Sequence, residues 1–145
     1  MLDQYDNGDG TRSNVGLATP LPVAAMPPGG AGAQVNGAAS VANASAVATL
    51  AGTSGKRTWI TGFQVTGLGA TAAGSASVTV AGLAGGSLQY VLAVPAGAAA
   101  GVTPLVVSFP QPLAASALNT AITVTAAAFG AGNTSAIVTA QGYQV

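Results

Sequence analysis

Thr58-Trp59-Ile60-Thr61-Gly62-Phe63-Gln64-Val65-Thr66-Gly67 alternates with a period of two. On an extended chain that spacing sets Trp59, Thr61, Phe63 and Val65 on one face and Ile60, Gly62 and Gln64 on the other. No helical period of 3.6 fits the run, and its β-branched and aromatic content favours a strand.

The same texture extends to both sides. Leu88, Tyr90, Leu92 and Val94 alternate with Gln89, Val91 and Ala93, and Leu118, Thr120, Ile122 and Val124 alternate with Asn119, Ala121, Thr123 and Thr125. The predicted strands are 46–51, 57–66, 75–81, 87–94, 103–109, 117–126 and 135–144, with Gly, Pro and Asn between them. Short strands at even spacing with turn residues between them predict an all-β chain. The expected architecture is a β-sandwich or jelly roll of about seven or eight strands with an extended N-terminal arm.

Residues 1–45 read as that arm and a linker, and 46–145 as the β-sandwich domain. The first segment holds Pro20, Pro22, Pro27 and Pro28 and a Gly/Ala/Ser/Asn-rich stretch over 29–45. Such a mixture favours extended, solvated backbone rather than a core. Pro20 and Pro22 flank Leu21 and hold it near polyproline II or as an isolated edge strand. Leu17, Leu21, Val23 and Met26 are apolar with no local core to enter, and are expected, with Tyr5, to dock on a partner.

Charge separates the two segments further. Only 4% of residues are charged, against roughly 25% in an average soluble domain. Asp3, Asp6 and Asp9 are the acids, Arg12, Lys56 and Arg57 the bases, and no side-chain charge follows Arg57. Half the residues are hydrophobic, chiefly Ala and Val, and 5% are aromatic, so the core is built from small side chains. A chain with so little charge has few means of keeping exposed strand edges apart, and assembly with neighbours is the expected solution. Mean hydropathy is positive, yet Gly, Pro, Ser and Thr interrupt every apolar run well short of the ~20 residues of a membrane helix. The acidic, polar start is unlike a secretory signal. Neither membrane nor nucleic acid is an expected partner, since three cations make no phosphate-binding footprint.

The residues that carry most enzyme chemistry are missing. There is no His, Glu or Cys, so the usual proton carriers, thiol nucleophiles and zinc ligands are absent. Ser54 and Lys56 are the one conceivable dyad, and they read as a solvated turn. Gly52-Thr53-Ser54-Gly55-Lys56 lacks the first Gly and the final Ser/Thr of a phosphate loop, where Leu50 and Arg57 stand. Asp6-Asn7-Gly8-Asp9-Gly10-Thr11 places Gly8 and Gly10 where a calcium loop needs oxygen ligands. No catalytic residue, metal site or cofactor is expected. Trp59, Phe63, Tyr90, Phe109, Phe129 and Tyr143 read as core or interface rather than as a sugar platform. Asn43-Ala44-Ser45 and Asn133-Thr134-Ser135 match the glycosylation pattern, which carries meaning only on a secreted chain.

Thr19-Pro20-Leu21-Pro22-Val23, after a polar start bearing Asp and Gly, resembles the Pro-Leu-Pro-Val segment of small structural proteins of tailed bacteriophages. The stretch Gly55-Lys56-Arg57 leading into Thr58–Gly67 is similar to their first long strand, and Phe129-Gly130-Ala131-Gly132-Asn133-Thr134 to their closing loop. The resemblance implies a virion component at the capsid surface, a decoration (cement) protein rather than an enzyme. It implies a homotrimer of β-sandwiches that binds the major capsid protein and sister protomers. A tail or head-fibre module binding a host-surface glycan is the alternative it leaves open.

Overall fold

The structure is a computed structural model that describes Gln4–Asp6, Arg12–Asn14 and residues 32–145. The chain divides into two units, Met1–Gly30 and Ala31–Val145. In the first, β1 (Gln4–Asp6) pairs antiparallel with β2 (Arg12–Asn14), with Tyr5 opposite Ser13. Leu17, Leu21, Val23 and Met26 lie outside the described residues, as does the Tyr5 side chain.

The second unit contains β3 (Ala33–Val41), β4 (Ala46–Leu50), β5 (Thr58–Gly67), β6 (Gly74–Ala81), β7 (Leu88–Val94), β8 (Leu105–Ala114), β9 (Ile122–Ala126) and β10 (Ala136–Gln144). They form two four-stranded antiparallel sheets, ordered β3-β10-β5-β8 and β4-β9-β6-β7. First pairs with last, second with seventh, third with sixth and fourth with fifth. This nesting is one long antiparallel ribbon rolled over on itself, with only β6–β7 as a hairpin within a sheet. An eight-stranded double sheet wound in this way is a jelly roll.

The first correction to the sequence reading concerns Ala33–Val41. Read as linker, it is a nine-residue strand at the edge of its sheet. Ala, Gly, Ser and Asn give it little intrinsic β-preference, and its register with β10, Ala33 opposite Gln144 through Val41 opposite Ala136, supplies what propensity does not. The sheet therefore takes in residues on the arm side of position 46.

The second correction concerns β5. Ile60 is paired with Gly142 and Gly62 with Gln141, so Thr61 is an unpaired extra residue, a β-bulge. The alternation changes phase there. Thr58 and Ile60 are buried before the bulge and Phe63 and Val65 after it, while Trp59 points to the opposite side from Phe63. Gly142 makes the close approach possible, because a Cβ there would run into the Trp59 carbonyl and the Leu50 side chain.

Two further differences lie at β8 and β9. β8 continues through Pro110 and Pro112, which an edge strand tolerates because half its N–H groups have no ladder partner. Between Ser108, opposite Gly62, and Leu113, opposite Ile60, it fits four residues where β5 has one. Residues 117–121, expected to open a strand, are instead a turn, with Asn119 at φ 62° and strand structure beginning at Ile122.

The core is thin-walled. Ala46, Ala48, Ala76, Ala126, Ala136 and Ala140 share it with Leu50, Ile60, Ile122 and a set of valines. Larger rings gather at one side. Phe63 meets Tyr90 of the other sheet edge-on at 5.4 Å and Phe109 at 6.3 Å. Tyr90 and Phe109 come from the edge strands β7 and β8, so the cluster ties the two sheets together along that side. Such ring pairs add about 0.5–1.5 kcal/mol each beyond their buried area.

Phe63→Ala is expected to cost about 3–5 kcal/mol in a urea melt, since few neighbours are large enough to fill the space. A chain beginning at Ala46 is expected to lose its cooperative thermal transition, whereas one beginning at Gly32 keeps it. Equal melts for the two chains would show that β3 is dispensable.

Candidate functional site

The outer surface of the β3-β10-β5-β8 sheet is set by register. Ser40, Ile137 and Thr66 form one row, Ala38, Thr139, Gln64 and Val106 the next, then Asn36, Gln141 and Ser108. On the other sheet Val47, Thr125, Thr79 and Gln89 form a row beside Thr49, Thr123 and Ala81. Apart from Ile137, these rows consist of Thr, Ser, Asn, Gln, Ala and Val. The strongly exposed apolar residues, Val91, Val106, Leu118 and Val47, are scattered singly rather than gathered into a greasy patch.

Residues 32–145 carry two charged side chains, Lys56 and Arg57, which are adjacent. Association therefore strips few ions of their hydration, and interface cores are depleted in Lys, Glu and Asp for that reason. The four edge strands, β3, β8, β4 and β7, bear no charge either. β8 is guarded by its prolines and irregular register, whereas the others lack the lysines that usually block edge-to-edge pairing.

One corner differs. Arg57 N–H donates to the Val145 carbonyl and Val145 N–H to the Arg57 carbonyl, extending the β5–β10 ladder by one pair. Trp59 lies opposite Tyr143, with near-parallel rings 6.2 Å apart. The bulge turns Trp59 away from the core, the alternation of β10 sets Tyr143 on the same face as Ile137, Thr139 and Gln141, and Arg57 precedes Trp59 by two residues, on the same side. Tyr143 is nonetheless only 6% exposed. Arg57 Nε, Trp59 Nε1 and the Tyr143 hydroxyl are all buried without a hydrogen-bond partner. Burial pushes the Tyr143 phenol above its ordinary pKa.

Other buried polar groups hold loops in place. The Asn133 amide donates to the Leu68 carbonyl at 2.7 Å and the Ser135 carbonyl at 3.1 Å, which fastens the β9–β10 loop to the end of β5. With that side chain fully buried, the second glycosylation match is a structural staple. Gln144 donates to the Ala51 carbonyl and to Thr58 Oγ1, closing the opposite end. Ser54 and Lys56 lie in a tight turn, with Lys56 N–H bonded to the Thr53 carbonyl and Gly55 at φ 76°. All six aromatic residues weighed as a sugar platform are buried or half-buried. The described residues include an apolar hollow of about 290 Å³ beside Leu83, Leu88, Pro112 and Leu113, and a polar one of about 220 Å³ beside Thr61, Gln64, Ser108 and Gln141. Among the described residues no group of acidic side chains is placed to hold a metal ion, and no helix is long and apolar enough to cross a membrane.

No protein-family model matches the chain, and no curated protein matches it. Among solved structures it is similar to the cryo-EM structure of the giant freshwater prawn Macrobrachium rosenbergii extra small virus (XSV) VLP. Identity is 15%, covering 99% of this chain and 95% of that chain, with a TM-score of 0.34. At that TM-score the likeness bears on neither fold nor function, and the reading below rests on this chain's own geometry.

The titratable groups give a pH signature. Residues 32–145 contain no carboxylate, imidazole or thiol side chain, so sandwich stability is expected to be flat from pH 5 to 9. Tyr143 holds its proton more tightly folded than unfolded, so its contribution is intact below the unfolded phenol value near 10. It is lost as pH rises from there through the higher folded value. Thermal melts between pH 7 and 11 are expected to fall above about pH 10, and Tyr143→Phe to reduce that fall. An identical alkaline slope in the variant would rule out Tyr143 as the source.

Proposed function

We propose that the protein is a non-enzymatic virion component, a capsid decoration (cement) protein that associates as a trimer and binds the assembled shell. The observation that carries this reading is the pair of sheet faces without a charged side chain, together with the edge strands β3, β4 and β7, which carry no charge to block pairing with a neighbour. The jelly roll agrees with it as an architecture that recurs in viral capsid domains. The mechanism is mechanical. Bridging neighbouring shell subunits stabilises the assembled state by mass action, because the protein binds that state and not the separated subunits. A cyclic trimer presents three equivalent contacts to a local three-fold or quasi-three-fold position. Residues 1–31 serve as the arm, with Leu17, Leu21, Val23 and Met26 docking on the neighbour and Tyr5 assisting.

The polar hollow beside Thr61, Gln64, Ser108 and Gln141 favours a second reading, a tail or head-fibre module that binds a host-surface glycan. Its hydroxyl and amide groups match sugar hydroxyls, although among the described residues no exposed ring lies beside them for stacking.

Mass spectrometry of purified virions is expected to find the protein, and electron microscopy to find its density at capsid axes. Particles lacking it are expected to lose their contents at a lower temperature and to recover when it is added back. Absence from the particle would overturn the proposal. Binding to host polysaccharide that Gln141→Ala abolishes would establish the glycan reading in its place.

A further inference from the structure

We propose that the outer edge of β7 is a self-association site, and that its occupant is the β7 strand of a second copy, paired antiparallel about a two-fold axis at Val91. The contact goes beyond the function proposed above, because it needs neither a shell nor a three-fold axis.

Register shows which backbone groups of β7 are free. Residues opposite each other in an antiparallel pair alternate between exchanging two hydrogen bonds and exchanging none. The Ala127 N–H donates to the Ser77 carbonyl, so Ser77 and Thr79 turn their backbone groups toward β9. Ala76, Val78 and Val80 then turn theirs toward β7, where they meet Leu92, Tyr90 and Leu88. Gln89, Val91 and Ala93 are left with N–H and C=O groups on the outer edge, where no described strand lies. The Val91 side chain, on the outer face, is 75% exposed.

That set of free groups selects a second copy as the occupant. With Val91 opposite Val91, Gln89 of each copy lies opposite Ala93 of the other, and every free group on both edges finds a partner. A shift of two residues either way leaves one residue of each strand unpaired. The same register sets Tyr90 opposite Leu92 and Leu88 opposite Val94 on the inner face, at the positions where opposed side chains approach most closely. Apolar residues thus meet apolar ones inside, and Gln89, Val91 and Ala93 meet one another outside, with no charge on either strand.

The other edges are less open to a neighbour. β8 carries Pro110 and Pro112 and an irregular register. β4 runs so close beneath β3 that a Cβ on Gly37 would meet the Thr49 backbone, and β3 itself has little β-preference. β7 has seven residues, rich in Val, Leu and Tyr, without Gly, Pro or charge, the composition of a strand that pairs with its own kind. Apolar side chains along this side are also half covered. Leu88 and Tyr90 of β7, and Leu105, Val107, Phe109 and Leu113 of β8, pack on the core without being fully buried. The apolar hollow opens there too, between Leu88 and Leu113. A second β7 continues the sheet where these side chains are uncovered, and brings its Leu92 and Val94 beside Tyr90 and Leu88.

The chain has no cysteine, so single cysteines placed in the full-length protein read the register directly. Opposed Cα atoms of a hydrogen-bonded pair lie about 5.5 Å apart, within disulfide range. V91C is expected to form a disulfide-linked dimer on mild oxidation, seen by non-reducing electrophoresis. A93C alone is expected to stay unlinked, being roughly 14 Å from its counterpart, and to link when mixed with Q89C. Sedimentation velocity is expected to show an association step that V91K weakens about tenfold or more, by setting like charges opposite each other. V91P tests the backbone: the N–H it removes points away from β6, so circular dichroism is expected to stay that of the wild type while the step is lost. If V91P does not fold, V91K decides, since its side chain replaces an exposed one. An unlinked V91C would overturn the proposal, whether the edge is empty or covered by another segment. Equal linking of V91C and A93C would also overturn it, as would V91K sedimenting like the wild type at every concentration. The cross-link reports this pair of strands whatever larger assembly forms, so the capsid and trimer readings stand or fall separately.

Discussion

Thr61 has no partner in β10. Its neighbours Ile60 and Gly62 pair with the adjacent residues Gly142 and Gln141, and its own hydroxyl bonds the Gln141 carbonyl across the irregularity. That single extra residue determines which side chains of β5 enter the core. Before it, Thr58 and Ile60 point inward, with Thr58 joined to the Gln144–Ala51 closure. After it, Phe63 and Val65 point inward and Phe63 anchors the aromatic cluster against β7 and β8. Without the bulge Trp59 would compete for core volume already filled by Ile60. With it, Trp59 is displaced to the outside, where it meets Tyr143 on the outer face of β10. The corner with unpartnered donors is thus a direct product of the packing in β5, and it depends on Gly142 lacking a side chain.

A core dominated by Ala and Val sets a second constraint. Each alanine removes little apolar area from water, so hydrophobic stabilisation per residue is small at about 25 cal/mol per Å². The fold offsets this with register and topology. β3 and β10, close to the two ends of the sandwich sequence, pair along nine positions. The Asn133 and Gln144 amides fasten loops that hydrophobic packing alone would hold weakly. Most pairings join strands far apart in sequence, the arrangement in which loop-closure entropy must be met before contacts reward it. A domain with a lean core and distant pairings gains more than most from any partner that binds only the folded form.

Much of this was legible in the sequence, because alternation is strong wherever Val, Ile, Thr and aromatic residues recur. β4, β5, β6, β7 and β10 begin and end within a residue of the expected positions. What escaped was decided by pairing rather than by local preference. Gly37, Ala38, Ala39 and Ser40 look like linker, and become strand only because β10 offers them a ladder. Pro110 and Pro112 look like a stop, and are carried because β8 is an edge. The bulge was invisible, since Thr61 and Gly62 read as ordinary members of an alternating run, and so Trp59 was assigned to the face of Phe63. The expected docking residues Leu17, Leu21, Val23 and Met26 lie outside the described residues. The donors at the corner had no sequence signature beyond the adjacency of Lys56 and Arg57.

Neutral faces and one charged corner have different roles in recognition. A surface of Thr, Ser, Gln and Ala can be buried at low desolvation cost, but it discriminates poorly, because specificity comes as much from what is penalised as from what is gained. A cationic group with unmet donors supplies the missing penalty: any partner that covers it without an acceptor leaves a buried charge unpaired. Screening confines that discrimination to about 8 Å at physiological salt, so it acts on docking geometry and not on long-range approach. The faces then contribute area, for which stable interfaces need about 800 Å² per partner. With charge otherwise absent from residues 32–145, Lys56 and Arg57 are the one place on the sandwich where a covering surface would meet a charged side chain.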